Sequence, residues 1–263
     1  MVDSITSGSY LDSYRGINFS SESKIKPESK DYRKIISCLS QPRSDGKLKI
    51  FQLNQPARAL STLELKALIP MTKYIKGFIA KPHPDLKVPG RPICPFIPMA
   101  LAKNSVWMHA DPSTKPDFEQ TKIKLDKLRA KFHKLEPNNG RDQVFKTIVI
   151  SFPNLKGHEA GEFIDTIQRQ TKIDFVKEGL MIGEFHEFNK TPSTHNPDFF
   201  PGRSPLPTLV IRNMIKNDLP FLTDPKYTPQ ERVEFLTAFL AKDFNRGNDV
   251  AREELERAKN ELL

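Results

Sequence analysis

Residues 180–214, LMIGEFHEFNKTPSTHNPDFFPGRSPLPTLVIRNM, carry the strongest indication of the fold class. The two ends of this stretch, Leu180–His186 and Thr208–Met214, are short apolar and β-branched runs of the kind found in strands. The segment between them is rich in proline, which lacks the N–H needed to continue a strand ladder. Two strands that follow one another without an intervening helix break the strict alternation of a parallel nucleotide-binding sheet.

The chain before and after this stretch alternates between strand and helix patterns. Strands are predicted at Thr147–Phe152 and at the end of Met99–Ala110, and helices at Asp117–Leu135 and at about 158–170. Thr228 opens a capping box with Glu three residues later, so another helix is predicted to start there. The sequence therefore predicts an α+β protein in which helices cover a mixed β-sheet with long proline-rich loops.

The N-terminal part of the chain has weaker patterns. Leu48–Leu53 is predicted as a strand, and Thr62–Ile79 as a helix that is interrupted at Pro70. The predicted organisation has three parts. Residues 1–48 are expected to form a partly mobile, polar and basic arm with a short helix near Tyr32–Leu39. A single α+β domain follows over 49–245, and a charged C-terminal helix over 246–263.

Composition restricts the class of protein. The 263 residues include 41 Lys and Arg against 32 Asp and Glu, which gives a net charge of +9. No stretch approaches the roughly 20 apolar residues of a membrane helix, and the start MVDSITSGSY lacks the pattern of a secretory signal, so a cytoplasmic protein is expected. Only Cys38 and Cys94 are cysteines, which argues against a disulfide framework or a zinc knuckle.

The proline-rich stretch after the strand ending in His186 concentrates side chains suited to a cofactor pocket. An imidazole can ligate iron, aromatic rings can enclose a flat ring, and an arginine can hold a carboxylate through paired hydrogen bonds. The candidates are Phe185, His186, His195, Asp198, Phe199, Arg203 and Arg212. Two alternatives stay open: His186 as a structural residue at a strand end, and His195–Asp198 as an Asx turn without chemistry.

An earlier proline-rich segment, GRPICPFIP at residues 90–98, holds Cys94. This thiol is interpreted as an inert packing residue, with a thiolate ligand or a nucleophile as the alternatives. The lysines of the helix predicted at Asp117–Leu135 could bind a polyanion, but charge runs on helices are usually solvated faces. Because no helix-turn-helix or RNP pattern accompanies them, nucleic-acid binding is disfavoured.

The segments RPICPFIPMALAKNSVWM and GLMIGEFHEFNKTPSTHNPDFFPGRSPLPTLVIRNM together resemble a bacterial domain family of unknown function over residues 78–242. The shared features are a Pro-Cys-Pro-Phe loop, a Phe-His pair, a His-Asn-Pro-Asp-Phe motif and an Arg-Ser-Pro motif. The layout is also distantly similar to the YqcI/YcgG family, some members of which are haem-dependent oxygenases that hydroxylate arginine-like amino acids. Glu187 stands where that family has a proline.

This resemblance implies a haem-dependent oxygenase of specialised metabolism acting on a small amino-acid-like substrate, with haem b as cofactor. His186 would ligate the iron, and Arg203 and Arg212 would hold carboxylates. Phe185, Phe199 and Cys94 would line the pocket, while His195 and Asp198 would act on the substrate side. The alternatives are a non-haem metal enzyme using His186 and His195, and a non-catalytic protein that binds an acidic partner. The electron donor and the oligomeric state, with a homodimer among the options, stay open.

Overall fold

The computed structural model describes residues 48–54 and 60–263. The predicted N-terminal arm, apart from its last residue, and the helix predicted near Tyr32–Leu39 lie outside the described residues. The described part of the chain forms one five-stranded mixed sheet with helices on both faces, so the predicted α+β class is confirmed.

The five strands form the sheet in the order β1-β2-β3-β5-β4. Their bounds are β1 Phe51–Gln52, β2 Val106–Ala110, β3 Thr147–Ser151, β4 Leu180–Phe185 and β5 Thr208–Asn213. Strands β2 and β3 are parallel, and the other neighbouring pairs are antiparallel. The two strands predicted at either end of residues 180–214 therefore pair directly with each other, with Gly183 opposite Val210.

In the part of the chain that the structure describes, seven α-helices surround this sheet. They are α1 Thr62–Tyr74, α2 Ile97–Ala102, α3 Phe118–Phe132, α4 Gly157–Lys177, α5 Leu219–Leu222, α6 Pro229–Leu240 and α7 Asp249–Asn260. The predicted capping box of α6 is present, because the Thr228 hydroxyl accepts from the Glu231 N–H and the Glu231 carboxylate accepts from the Thr228 N–H. In α3 the N-cap is Asp117, which accepts from the Gln120 N–H.

The expected interruption at Pro70 was wrong. Helix α1 runs through Pro70 to Tyr74 and continues as a π-helical turn over Ile75–Ile79. A proline inside a helix removes one backbone hydrogen bond. Pro70 is buried together with Leu68 and Met71, so packing against the core offsets that loss.

Helix α4 is also longer than predicted, since it continues to Lys177. Thr171 and Phe175 follow Ile167 at intervals of four residues, and all three are buried on the face that meets the sheet. The polar Thr171 hides this continuation in the sequence. Its hydroxyl donates to the Ile167 carbonyl 2.7 Å away, so no polar group is left unpaired.

The sheet separates two hydrophobic cores. Its front face carries Met108, Val149 and Val210, which pack with α1 and the first proline-rich segment. The back face carries Ile150 and Ile211, and helices α3 and α4 pack there. A third cluster joins α4 to α6 and α7. The alternation of side chains along each strand sends neighbouring residues to opposite cores.

The edge strand β4 is protected against pairing with another strand. The Gln168 side-chain amide on α4 donates to the Ile182 carbonyl at 3.0 Å, and the Asn189 amide donates to the Glu184 carbonyl at 3.2 Å. These contacts occupy carbonyls that an edge strand would otherwise present to a second chain. Within the described residues, none of the helices has the length and apolar character needed to cross a bilayer.

Candidate functional site

The two proline-rich segments pack against each other in front of the sheet. The first proline-rich loop is defined as residues 81–96 and the second as residues 186–207. The Asn196 side-chain amide donates to the Asp85 carbonyl at 2.8 Å, and the Tyr74 hydroxyl of α1 donates to the Pro201 carbonyl. Residues more than 100 positions apart in the chain are thus joined by hydrogen bonds.

An aromatic stack forms the centre of the contact between the loops. The ring of Phe199 lies parallel to the imidazole of His83, with centroids 4.8 Å apart and an angle of 10° between the rings. Phe78 meets both rings edge-on. Phe199, which the sequence assigns to the haem pocket, therefore packs on an imidazole of the same chain.

At the outer edge of this contact, Arg91 Nη1 lies 3.2 Å from His195 Nε2, and both side chains are exposed. The Asn196 side-chain oxygen accepts the Asp198 N–H at 3.1 Å, which is an Asx turn. The structural alternative for His195–Asp198 is thereby present in the fold. Asp198 is exposed beside the loop contact, and among the described residues no hydrogen bond or ion pair joins it to His186, whose partner is Asp165.

A shallow groove of about 380 Å³ opens along the first proline-rich loop. It is lined by Pro82, His83, Pro84, Lys87, Val88, Pro89 and Gly90. The loop that forms the groove contains Lys81, Lys87 and Arg91 but only one acid, Asp85, and the longer segment 66–103 contains seven Lys and Arg with that same single acid. Of those seven cations, only Lys103 forms an ion pair within the described residues, with Asp142.

His186 lies at the other side of the sheet, against helix α4. Its Nε2 is 2.9 Å from the Asp165 carboxylate, and its side chain is 5% exposed. Nδ1 is buried, and none of the described residues forms a hydrogen bond with it. A Cβ at Gly161 would lie 2.7 Å from Nδ1, so the imidazole fills the space that this glycine leaves open.

Phe185, Cys94 and Arg212 are on the front side of the sheet, but Phe185 lies opposite Thr208, four residues away from Arg212 along β5. Phe185 and the half-buried Cys94 pack against the front-face core, and Cys94 is near enough to Arg212 to interact with it electrostatically. The Arg212 guanidinium forms a two-point ion pair with Asp218 at 2.6 and 2.7 Å. Asp218 is 1% exposed, so this pair holds the chain that follows β5.

Arg203 belongs to a third environment. Its guanidinium lies 4.5 Å from the centre of the Phe200 ring, and its Nε donates to the Asn189 carbonyl at 3.3 Å. The Arg203 side chain thereby links the end of the second proline-rich loop to its beginning at Asn189.

In this fold, the residues that the resemblance assigns to haem do not lie around one haem pocket. Phe185 and His186 are consecutive and face opposite sides of the sheet, so they cannot enclose the same ring. Both nitrogens of His186 face the chain itself, through Asp165 and Gly161. Arg212 and Arg203 already have protein partners. Among residues 48–54 and 60–263, no group of three or more His, Cys, Asp or Glu side chains is arranged to hold a metal ion.

Sequence reasoning did not single out His83 or Arg91. Both lie in the first proline-rich loop, whose sequence pattern points to Cys94 as the candidate. The pattern Lys-Pro-His-Pro at 81–84 was a usable signal, because prolines on both sides restrict the backbone of His83.

The chain matches the family model described as Domain of unknown function (DUF6875) over residues 68–249. This range includes both proline-rich loops, the groove and strands β2 to β5. The corresponding comparisons with curated proteins and with solved structures gave no match.

Proposed function

Since this chain belongs to the DUF6875 family, a family of unknown function, we propose a function from its own residues: it binds a small anionic molecule where its two proline-rich loops meet. The observation that carries this proposal is the groove beside His83 and Lys87 in a segment of seven cations and one acid. Cations without acidic partners create a local positive potential that attracts an anion. The expected small, amino-acid-like substrate carries such an anionic group.

The rigidity of the site supports binding rather than simple solubility. The two loops are joined by the His83–Phe199 stack and by the Asn196–Asp85 hydrogen bond, so the groove exists before a ligand arrives. A preformed site loses less conformational entropy when it binds. The charge of the lysine-rich helix α3 is less available to a ligand, because Lys124 and Arg129 of that helix already form ion pairs with Asp111 and Glu178.

The proposal is tested by reversing charges. Lys87→Glu with Arg91→Glu is expected to weaken binding of phenylacetate or inorganic phosphate by about tenfold or more, measured by NMR titration at low salt. Lys122→Glu with Lys127→Glu on α3 is the matched control, since both lysines are exposed and the net charge changes equally. Equal weakening by both double variants would show that only the overall charge matters and would contradict the site.

The haem-dependent oxygenase is a second proposal, and its support is the resemblance to the YqcI/YcgG family. One geometric feature favours it, because a ligating histidine typically has a carboxylate on its other nitrogen, as His186 has Asp165. The close approach of Gly161 to Nδ1 speaks against it. If haem bound at His186, it would supply redox chemistry for hydroxylation, and the imidazole would have to leave its present position.

This second proposal is tested by the absorbance spectrum of the protein incubated with hemin. The oxygenase predicts a Soret band at close to one haem per chain that His186→Ala abolishes, with His133→Ala as the control at an exposed histidine. A protein that takes up no hemin, or that binds it equally well without His186, would contradict the assignment.

The alternative of a non-haem metal enzyme that uses His186 and His195 has less support, because His195 contacts Arg91 at the loop junction.

A further inference from the structure

His83 is held in the groove by ring contacts and by a hydrogen bond. Phe199 stacks on one face of its ring, Phe78 meets it edge-on at 5.5 Å, and the side chain remains 29% exposed. Its Nδ1 accepts a hydrogen bond from the Asp85 N–H at 3.2 Å, where His83 acts as the N-cap of a short 3₁₀ turn over Pro84–Leu86. The ring is therefore fixed in orientation before any ligand binds.

The bond to Nδ1 also determines which nitrogen carries the proton. Because Nδ1 accepts from the Asp85 backbone N–H at 3.2 Å, while the Asp85 carboxylate lies further away at 3.7 Å, we assign the lone pair to Nδ1 and the proton of the neutral imidazole to Nε2. No described residue forms a hydrogen bond with Nε2. The ring nitrogen that is left for a ligand is consequently an N–H donor, which recognises an acceptor oxygen and cannot ligate a cation in this tautomer.

The remaining wall of the groove is apolar apart from one ammonium group. Pro82, Pro84, Val88 and Pro89 line it with carbon, and Lys87 contributes the cation. Lys87 follows the 3₁₀ turn with a φ of +58°, a conformation that non-glycine residues seldom adopt.

We infer that the ligand of this groove is a carboxylate attached to an apolar body, with His83 Nε2–H and the Lys87 ammonium holding the carboxylate and the prolines contacting the apolar part. This inference rests on the proposed function and narrows its ligand class. One N–H donor and one ammonium match the two oxygens of a carboxylate, whereas a phosphate dianion offers three oxygens and more charge than the two groups satisfy.

The first test needs no ligand. In ¹⁵N-labelled protein, two-bond ¹⁵N–¹H correlations of the imidazoles distinguish the tautomers, and at a pH where His83 is neutral it is expected to be protonated at Nε2. Protonation at Nδ1 would overturn the inference and leave the charge-based proposal untouched. His83→Phe identifies the signal, because this variant keeps a ring against Phe199 and removes both nitrogens.

The second test compares ligands that share one ring. Phenylacetate is expected to bind about tenfold more tightly than phenyl phosphate, benzyl alcohol or benzylamine, and His83→Phe is expected to abolish that preference. His133→Phe is the control, because His133 is exposed and bonds Glu178 on the far side of the sheet.

The outcomes separate the two proposals. If phenyl phosphate binds as well as phenylacetate and His83→Phe changes neither, the carboxylate inference fails while anion binding stands. If no anion of the series binds to the intact protein, the proposed function itself fails.

Discussion

At the residue scale, Lys172 of α4 is an ionisable side chain whose burial the sequence pattern does not indicate. It is 2% exposed, and its Nζ donates to the Phe221 carbonyl at 2.6 Å and to the Tyr227 hydroxyl at 2.8 Å. The ammonium also lies 4.1 Å from the centre of the Tyr227 ring. Burial lowers the pKa of Lys172 to about 7, because the charged form loses its hydration. The nearby Glu184 carboxylate is already paired with Lys226.

This lowered pKa makes the stability dependent on pH. Between about pH 7 and the ordinary lysine pKa of 10.5, the unfolded chain binds the proton that folded Lys172 has lost. The contribution of Lys172 to the free energy of unfolding therefore rises as the pH rises through this window, and the full cost of burying the charge is present below about pH 7.

Lys172→Met tests this cost. The variant is expected to raise the free energy of unfolding by about 1 to 4 kcal/mol at pH 6, as replacement of a buried charge by an apolar side chain commonly does. The gain should shrink as the pH approaches 10, and urea unfolding at pH 6, 8 and 9.5 measures it. Lys216→Met is the control at an exposed lysine. A loss of stability that is equal at every pH would show that the two hydrogen bonds of Lys172 outweigh its charge.

At the element scale, the contact between α4 and the end of β4 depends on Gly161. This glycine is inside the helix, where alanine is normally more favourable by about 1 kcal/mol. It is retained next to a buried imidazole, since a Cβ would come within 2.7 Å of His186 Nδ1. The close approach holds the start of the second proline-rich loop, whose His186 N–H also donates to the Gly202 carbonyl.

Gly161→Ala is accordingly expected to destabilise the fold by about 1 to 3 kcal/mol in urea unfolding, because the imidazole must move out of a packed site. Gly77→Ala is the matched control, since a Cβ at that helical position meets no atom within 4 Å. The double change Gly161→Ala with His186→Ala should lose less stability than the two single changes added together. Simple additivity would contradict the proposed contact.

At the scale of the whole molecule, the positive charge is distributed unevenly. The net charge of +9 is a property of composition, but seven of the cations and a single acid lie within residues 66–103. On α3, by contrast, Lys124 and Arg129 are paired with Asp111 and Glu178. The helix that looks most basic in the sequence is thus partly neutralised. In residues 66–103, six of the seven cations form no ion pair with another described residue, and three of them, Lys81, Lys87 and Arg91, lie in the first proline-rich loop.

Local patterns were sufficient where a whole element buries one face. The strands of residues 180–214 were predicted to within one residue at each end, because short apolar and β-branched runs bounded by proline-rich or turn residues favour strands. The start of α6 was predicted from Thr228 and Glu231, whose capping bonds are local. Pro70 was misjudged because burial in the front core, which is a tertiary effect, decides whether a helix tolerates it.

The sequence by itself determined the α+β class, the strand pair at 180–214, most helices and the two stiff proline-rich loops, since each depends on the spacing of residues close together in the chain. Only the tertiary structure decided the strand order β1-β2-β3-β5-β4 and the partners of each candidate side chain. It turned Phe185 and His186 to opposite faces, paired Arg212 with Asp218, and stacked Phe199 on His83. The reason is physical: which distant residues meet depends on how the two cores pack against the sheet, and no local pattern encodes that arrangement.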